Sequence, residues 1–356
     1  LQQLETAFSD LEQSLSSSLE SGAPITWDSV MKPMQAIGEQ LRWSWGVVSH
    51  LNGVCNSPEL REAHASQQPD VVRLSNRLGQ SQVLHQALCR LRDQSGQPLS
   101  PTRQRILASE LLSMQQRGVG LDDAQQNAFN QDSERLAALS TAFGNHVLDA
   151  TQQWTLKLTH PEQVRGLPER ALEALAAAAR DAGMDTASAD KGPWLLGLDM
   201  PRYLPFLTHA EDRSLRETAY RAHVSRASEG ELDNAPLIEE ILNLRGAQAK
   251  RLGYAHWADR SLASKMAEDV PAVEALLEEL RAAAFPAAER ELSDLRDCAR
   301  RHGAPEADDL APWDLPYWTE KLRRERFDLD QEALRPWFPL PQVLDGLFGL
   351  CSRLFD

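Results

Sequence analysis

Residues 129–154, FNQDSERLAALSTAFGNHVLDATQQW, decide the fold class of this chain. Phe129, Leu136, Leu139, Phe143, Val147, Ala150 and Trp154 recur at intervals of three, four or seven. A period of 3.6 residues gathers them into one apolar stripe along a long helix. Downstream, Val273, Leu276, Leu277, Leu280, Ala284, Ala288, Leu295 and Ala299 repeat the pattern. Pro286 falls inside this second stripe and is expected to kink it, and Gly303 is expected to end it.

Working outward, helix starts agree with these stripes. Ser57-Pro58 and Ser100-Pro101 each put a capping hydroxyl before a proline at the first helical position. Asp233 or Asn234 is placed to cap the run Pro236 to Gly253, whose Leu237, Ile238, Ile241, Leu242 and Ala249 point toward one side. Strand signals are few. Trp154 to Thr159 reads as an extended piece stopped by His160-Pro161, and Trp194 to Leu198 as its partner. Residues 181–192, DAGMDTASADKG, read as a surface loop. The expectation is an all-α fold of long antiparallel helices with one small β ribbon, divided into regions 1–190 and 191–356.

Composition narrows the function. Apolar residues form 42% of the 356 and charged residues 25%, an ordinary globular balance. The formal net charge of −15 argues against nucleic acid and anionic membranes, both of which call for a basic footprint. Cys55, Cys89, Cys298 and Cys351 are scattered, with no C-x-x-C pair and no N-x-S/T acceptor site. That pattern suits a reducing, cytoplasmic setting. No run of about 18 apolar residues is present, so no membrane span is expected. Leu1 to Glu20 is acidic and unlike a signal peptide. The apolar pattern from Leu344 to Asp356 has no capping Gly or Pro, and both ends read as cut.

Chemistry is harder to find. A helical zinc hydrolase needs two histidines at i and i+4, with a Glu after the first. None of the nine histidines is followed by Glu, and the closest are 14 apart. Gly118-Val119-Gly120 lacks the third glycine of a dinucleotide loop, and neither a phosphate loop nor a Gly-x-Ser-x-Gly elbow occurs. His146 with Asp149 and His256 with Asp259 read as local helical pairs. The acids Glu231 to Asp233 and Asp308 to Asp309 read as helix-start or loop groups. Trp313, Tyr317, Trp318, Trp337 and Phe338 read as core residues, with an aromatic peptide-binding wall as the other reading.

Six ordered segments carry a resemblance. They are WSWGVVSHLNGVCNSPELREA (43–63), LDMPRYLPFL (198–207), LRETAYRAHVSRAS (215–228), ILNLRGAQAKRLGYAHWADRSLASKMAE (241–268), LAPWDLPYWTEKLRRE (310–325) and LRPWFPLPQVLDGLFGLCSRLF (334–355). In these the chain resembles the M3 family of zinc metallopeptidases, on its oligopeptidase A branch, with thimet oligopeptidase and neurolysin more distant. The resemblance implies a helical fold around a deep, narrow channel that admits short unfolded peptides. It implies one zinc ion, held by the two histidines of an H-E-x-x-H helix and a later glutamate, and a chain that is monomeric at full length. Those residues lie downstream of the matching segments, so no catalytic or metal residue is carried over. Region 191–356 would supply channel wall, with Arg202, Tyr203 and Lys265 as lining candidates. The expected function is that of the N-terminal portion of a zinc metalloendopeptidase acting in peptide turnover, inactive alone. The other reading is a non-catalytic helical module that binds peptides or proteins.

Overall fold

The computed structural model describes residues 1–93, 99–328 and 334–355. Among them are fourteen α-helices and one two-stranded ribbon. The order is α1 (Gln2–Ser21), α2 (Trp27–Val54), α3 (Pro58–Gln80), α4 (Gln82–Asp93), α5 (Pro101–Gln116), α6 (Asp123–Gln153), β1 (Thr155–Leu158) and α7 (Glu169–Asp181). It continues β2 (Trp194–Gly197), α8 (Met200–His209), α9 (Arg213–Val224), α10 (Ala235–Arg251), α11 (Trp257–Leu262), α12 (Val270–Arg301), α13 (Leu315–Phe327) and α14 (Leu340–Phe355). The all-α expectation with one ribbon is met.

The expected caps form. Ser57 Oγ accepts from Leu60 N at 3.2 Å, and Ser100 Oγ from Arg103 N at 3.3 Å. Gly303 follows α12 at φ +69°, a left-handed conformation that glycine adopts without a Cβ clash. α12 remains one helix through Pro286. At the start of α10 the two candidates divide the work. Asp233 Oδ1 accepts from Ala235 N at 2.9 Å, while Asn234 turns its side chain to Phe143 O and His146.

Contacts divide the chain into two compact units. One is Leu1–His146 with Asp233–Glu278; the other is Val147–Leu232 with Glu279–Asp356. The boundary expected at 190/191 falls within the second of these. The first unit is centred on Phe8, Leu15, Met31, Leu74, Leu84, Leu88 and Leu107, from α1 to α5, all fully buried. In the second unit β1 and β2 pair antiparallel, with Thr155 opposite Gly197 and Leu158 opposite Trp194. Leu158, Trp194 and Leu196 anchor a core shared with α7, α8 and α9. The loop 181–192 is more ordered than its composition suggests. Arg180 donates to Ala187 O at 2.9 Å, and Trp194 Nε1 to Ala189 O at 3.0 Å.

Two expected apolar stripes behave differently. On α6, Phe129 and Leu139 are buried, Leu136, Val147 and Ala150 are half-buried, and Phe143 is exposed. On α12, Leu276, Leu277, Leu280 and Phe285 are exposed, and only Cys298 and Ala299 near its end are buried. α14 is apolar and exposed throughout, including Val343, Leu344, Leu347, Phe348, Leu354 and Phe355, while Asp356 lies outside the described residues. No described helix is long and apolar enough to cross a membrane.

Candidate functional site

The sequence candidates do not converge on one site. His146 Nδ1 meets Asn234 Oδ1 at 2.9 Å. His256 sits before α11, and Asp259 Oδ2 accepts from its backbone N at 3.0 Å, so that pair caps a helix. Asp308 pairs with Arg300 at 2.7 Å on the surface. Asp259 and Asp308 act at a helix start and a surface loop, as their sequence neighbours indicated, whereas His146, read as a local pair with Asp149, reaches Asn234 88 positions along the chain. No two of the nine histidines stand four apart, and none is followed by Glu.

The lining candidates separate as well. Tyr203 is buried, stacked on His223 with ring centres 4.1 Å apart. Burial pushes its phenol up to about 12. It is a core residue of the second unit. Arg202 binds Asp199 beside it, and its guanidinium lies so close to Gly197 that a Cβ there would overlap it. Lys265 is exposed and donates to Ser261 Oγ at 2.8 Å.

The aromatic cluster needs correcting in part. Trp318 is buried, and Trp313 and Tyr317 are half-buried around the start of α13. Trp337 and Phe338, expected in the core, are 78% and 68% exposed. Tyr317 and Trp318 lie on α13, which packs on α8, and Trp313 just precedes it, whereas Trp337 ends a short turn (Arg335–Trp337) and Phe338 follows it.

Trp313 introduces the strongest polar network. Asp314, 0% exposed, accepts from Arg213 Nη2 at 2.9 Å, Arg216 Nη2 at 3.0 Å and Ala311 N at 3.0 Å. Arg216, 1% exposed, also donates to the carbonyls of Ala210, Glu211 and Trp313, and its guanidinium lies 4.3 Å from the Tyr317 ring. Every guanidinium nitrogen of Arg216 is thus engaged. This network ties α9 to the start of α13. α10 has a similar role in the first unit. Gln248 Nε2 donates to Phe129 O and to Ser133 Oγ, and Arg135 grips Glu240 with two bonds of 2.6 and 2.7 Å.

One constellation was not singled out in the sequence. Cys298, His302 and Glu325 each offer one ligand atom within 4.8 Å of the others. Cys298 Sγ lies 3.9 Å from His302 Nδ1 and 3.8 Å from Glu325 Oε2, and His302 Nε2 lies 3.3 Å from Glu325 Oε1. Burial raises the Cys298 thiol pKa, and Glu325 raises it further. The Arg301 guanidinium, 2.7 Å away, holds the Glu325 carboxyl below its usual range. A buried thiol with a raised pKa is a poor nucleophile. The i, i+4 spacing of Cys298 and His302 was legible, but a scan for paired histidines and paired cysteines passes over a mixed pair. Glu325 arrives from another helix, which no local pattern records.

Similarity to known proteins follows the same course along the chain. Residues 206–356 match the model described as Peptidase family M3, and residues 1–126 match that of the Neurolysin/Thimet oligopeptidase N-terminal domain. The "Probable cytosolic oligopeptidase A" of Arabidopsis thaliana is 42% identical over 356 residues, covering 100% of this chain and 50% of that protein. "Oligopeptidase A" of Escherichia coli K12 is 35% identical over 355 residues, covering 98% of this chain and 51% of that protein. The chain belongs to peptidase family M3. It spans about half the length of the curated relatives it matches.

Proposed function

We propose that this chain is the N-terminal portion of a zinc-dependent oligopeptidase that hydrolyses short unfolded peptides in the cytoplasm. The observation that carries the reading is the 35–42% identity with proteins named oligopeptidase A along essentially the whole chain. In this reading the chain holds no catalytic residue of peptide hydrolysis. Region 1–190 is helical scaffold, and region 191–356 is wall that orients and size-selects peptides. Zinc and its ligands belong to the remainder of a monomeric protein. The exposed apolar faces of α12 and α14 support this, because faces of that size are ordinarily covered by a protein partner.

The test is a comparison of residues 1–356 with the whole protein on a fluorogenic short peptide and on a folded protein. The expected outcome is cleavage of the short peptide by the whole protein only, lost on chelation, and no cleavage of the folded protein. Peptide cleavage by residues 1–356 alone would overturn the assignment of catalysis to the remainder. A whole protein that binds peptides without cutting them would instead support a binding module.

A further inference from the structure

We propose that Cys298, His302 and Glu325 bind one borderline-soft divalent cation of the zinc, cobalt or cadmium kind, where α12 ends beside α13. Cys298 and His302 are four residues apart, so they share one face at the end of α12, and Glu325 reaches them from α13. The donor set is a thiol, an imidazole and a carboxylate. It selects zinc-like ions over magnesium or calcium, which prefer oxygen alone.

Metal–nitrogen and metal–oxygen bonds of about 2.0 Å at a tetrahedral angle put their donor atoms roughly 3.3 Å apart. His302 Nε2 and Glu325 Oε1 lie 3.3 Å apart, and one ligand atom from each of the three residues lies within 4.8 Å of the other two. The outer contacts fit as well. His302 Nδ1 lies 3.0 Å from Cys298 O. A carbonyl only accepts, so Nδ1 carries the proton and Nε2 keeps its lone pair for a metal. Arg301 engages Glu325 Oε2 at 2.7 Å and leaves Oε1 facing the imidazole. Gly303, at φ +69°, closes the helix with Ala304 N donating to Ala299 O at 3.0 Å, which fixes the backbone of His302. Buried Ala299, Ala307 and Trp318 form the dry side of the site.

Binding is balanced in protons and charge. The cation takes the place of the Cys298 thiol proton, which leaves to solvent. Thiolate and carboxylate then cancel its two charges, the imidazole binds neutral, and a water completes four-coordination.

Cobalt(II) is the probe, added to the reduced 356-residue chain. A thiolate-to-cobalt charge-transfer band at one equivalent is expected in this chain and in its C55S/C351S variant, which removes the two exposed thiols. The band should vanish in C298S. Loss of the ligand in E325Q, or of its support in R301A, should weaken cobalt binding by about tenfold or more. Absence of the band from the parent chain, or an undiminished band in C298S, would overturn the site. If C298S fails to fold, E325Q decides, because Glu325 is exposed; unchanged cobalt affinity there would also overturn it.

Discussion

In the first unit, Phe8, Leu15, Met31, Leu84 and Leu88 exclude water with hydrocarbon and methionine sulfur alone. In the second unit the α9–α13 junction encloses a charge pair, Arg216 with Asp314, as completely as any leucine. The two interiors tolerate error differently. An aliphatic interior that loses a side chain loses transfer energy and gains a cavity, and its neighbours partly relax. A buried ion pair that loses one member leaves the other desolvated and unmatched, which repacking cannot relieve. The geometry of the second interior is therefore set by hydrogen-bond directions, and that of the first by volume.

The largest expected effect tests that contrast directly. Asp314→Ala should destabilise the chain by about 3–5 kcal/mol in denaturant unfolding, because Arg216 is left buried without its counter-charge. The double variant Asp314→Ala/Arg216→Met should recover a substantial part of that loss. If the double variant is no better than the single, the junction is held by packing and the contrast is broken. Leu88→Ala in the first unit should cost about 2–5 kcal/mol, with no second-site charge change able to restore it.

Smaller effects sharpen the picture. Gly79 lies inside α3, where alanine would normally favour the helix. A Cβ at this position would overlap Arg117 Cδ and lie 2.9 Å from its Cβ. Gly79→Ala should therefore destabilise, by about 1–3 kcal/mol, as overpacking does. A stabilised variant would show that Arg117 moves aside freely. The smallest effect concerns pH. His64 is buried against Trp45, its Nδ1 has no hydrogen-bond partner, and burial lowers its pKa. The unfolded chain takes up the proton first, so stability is full above the ordinary histidine value of about 6.5 and falls as pH drops through it. His64→Gln should flatten that part of the stability–pH curve in denaturant melts. An unchanged curve would show that His64 contributes none of it.

Legibility in the sequence followed the same division. The stripe 129–154, the capping serines 57 and 100, the stop at Gly303 and the ribbon 155–158 with 194–197 were all readable, because each depends on neighbours within a few residues. The exposure of Trp337 and Phe338 was not readable, since an aromatic residue carries no record of what it meets. Nor was the role of the Trp313–Tyr317 segment, because Asp314 finds its arginines about a hundred positions earlier in the chain. The Cys298–His302 half of the metal-type cluster lay in plain spacing, and Glu325 did not.

By itself, the sequence determined the helical class, the chain's acidic character and the lack of a paired-histidine motif, because periodicity, charge and spacing are local or additive. Tertiary structure alone decided which apolar stripes are buried, that Tyr203 is core, and that Asp314, Arg213 and Arg216 converge. It alone also brought Glu325 to Cys298 and His302. Those outcomes depend on which helices meet, and packing between segments distant in the chain leaves no trace in any single stretch of residues.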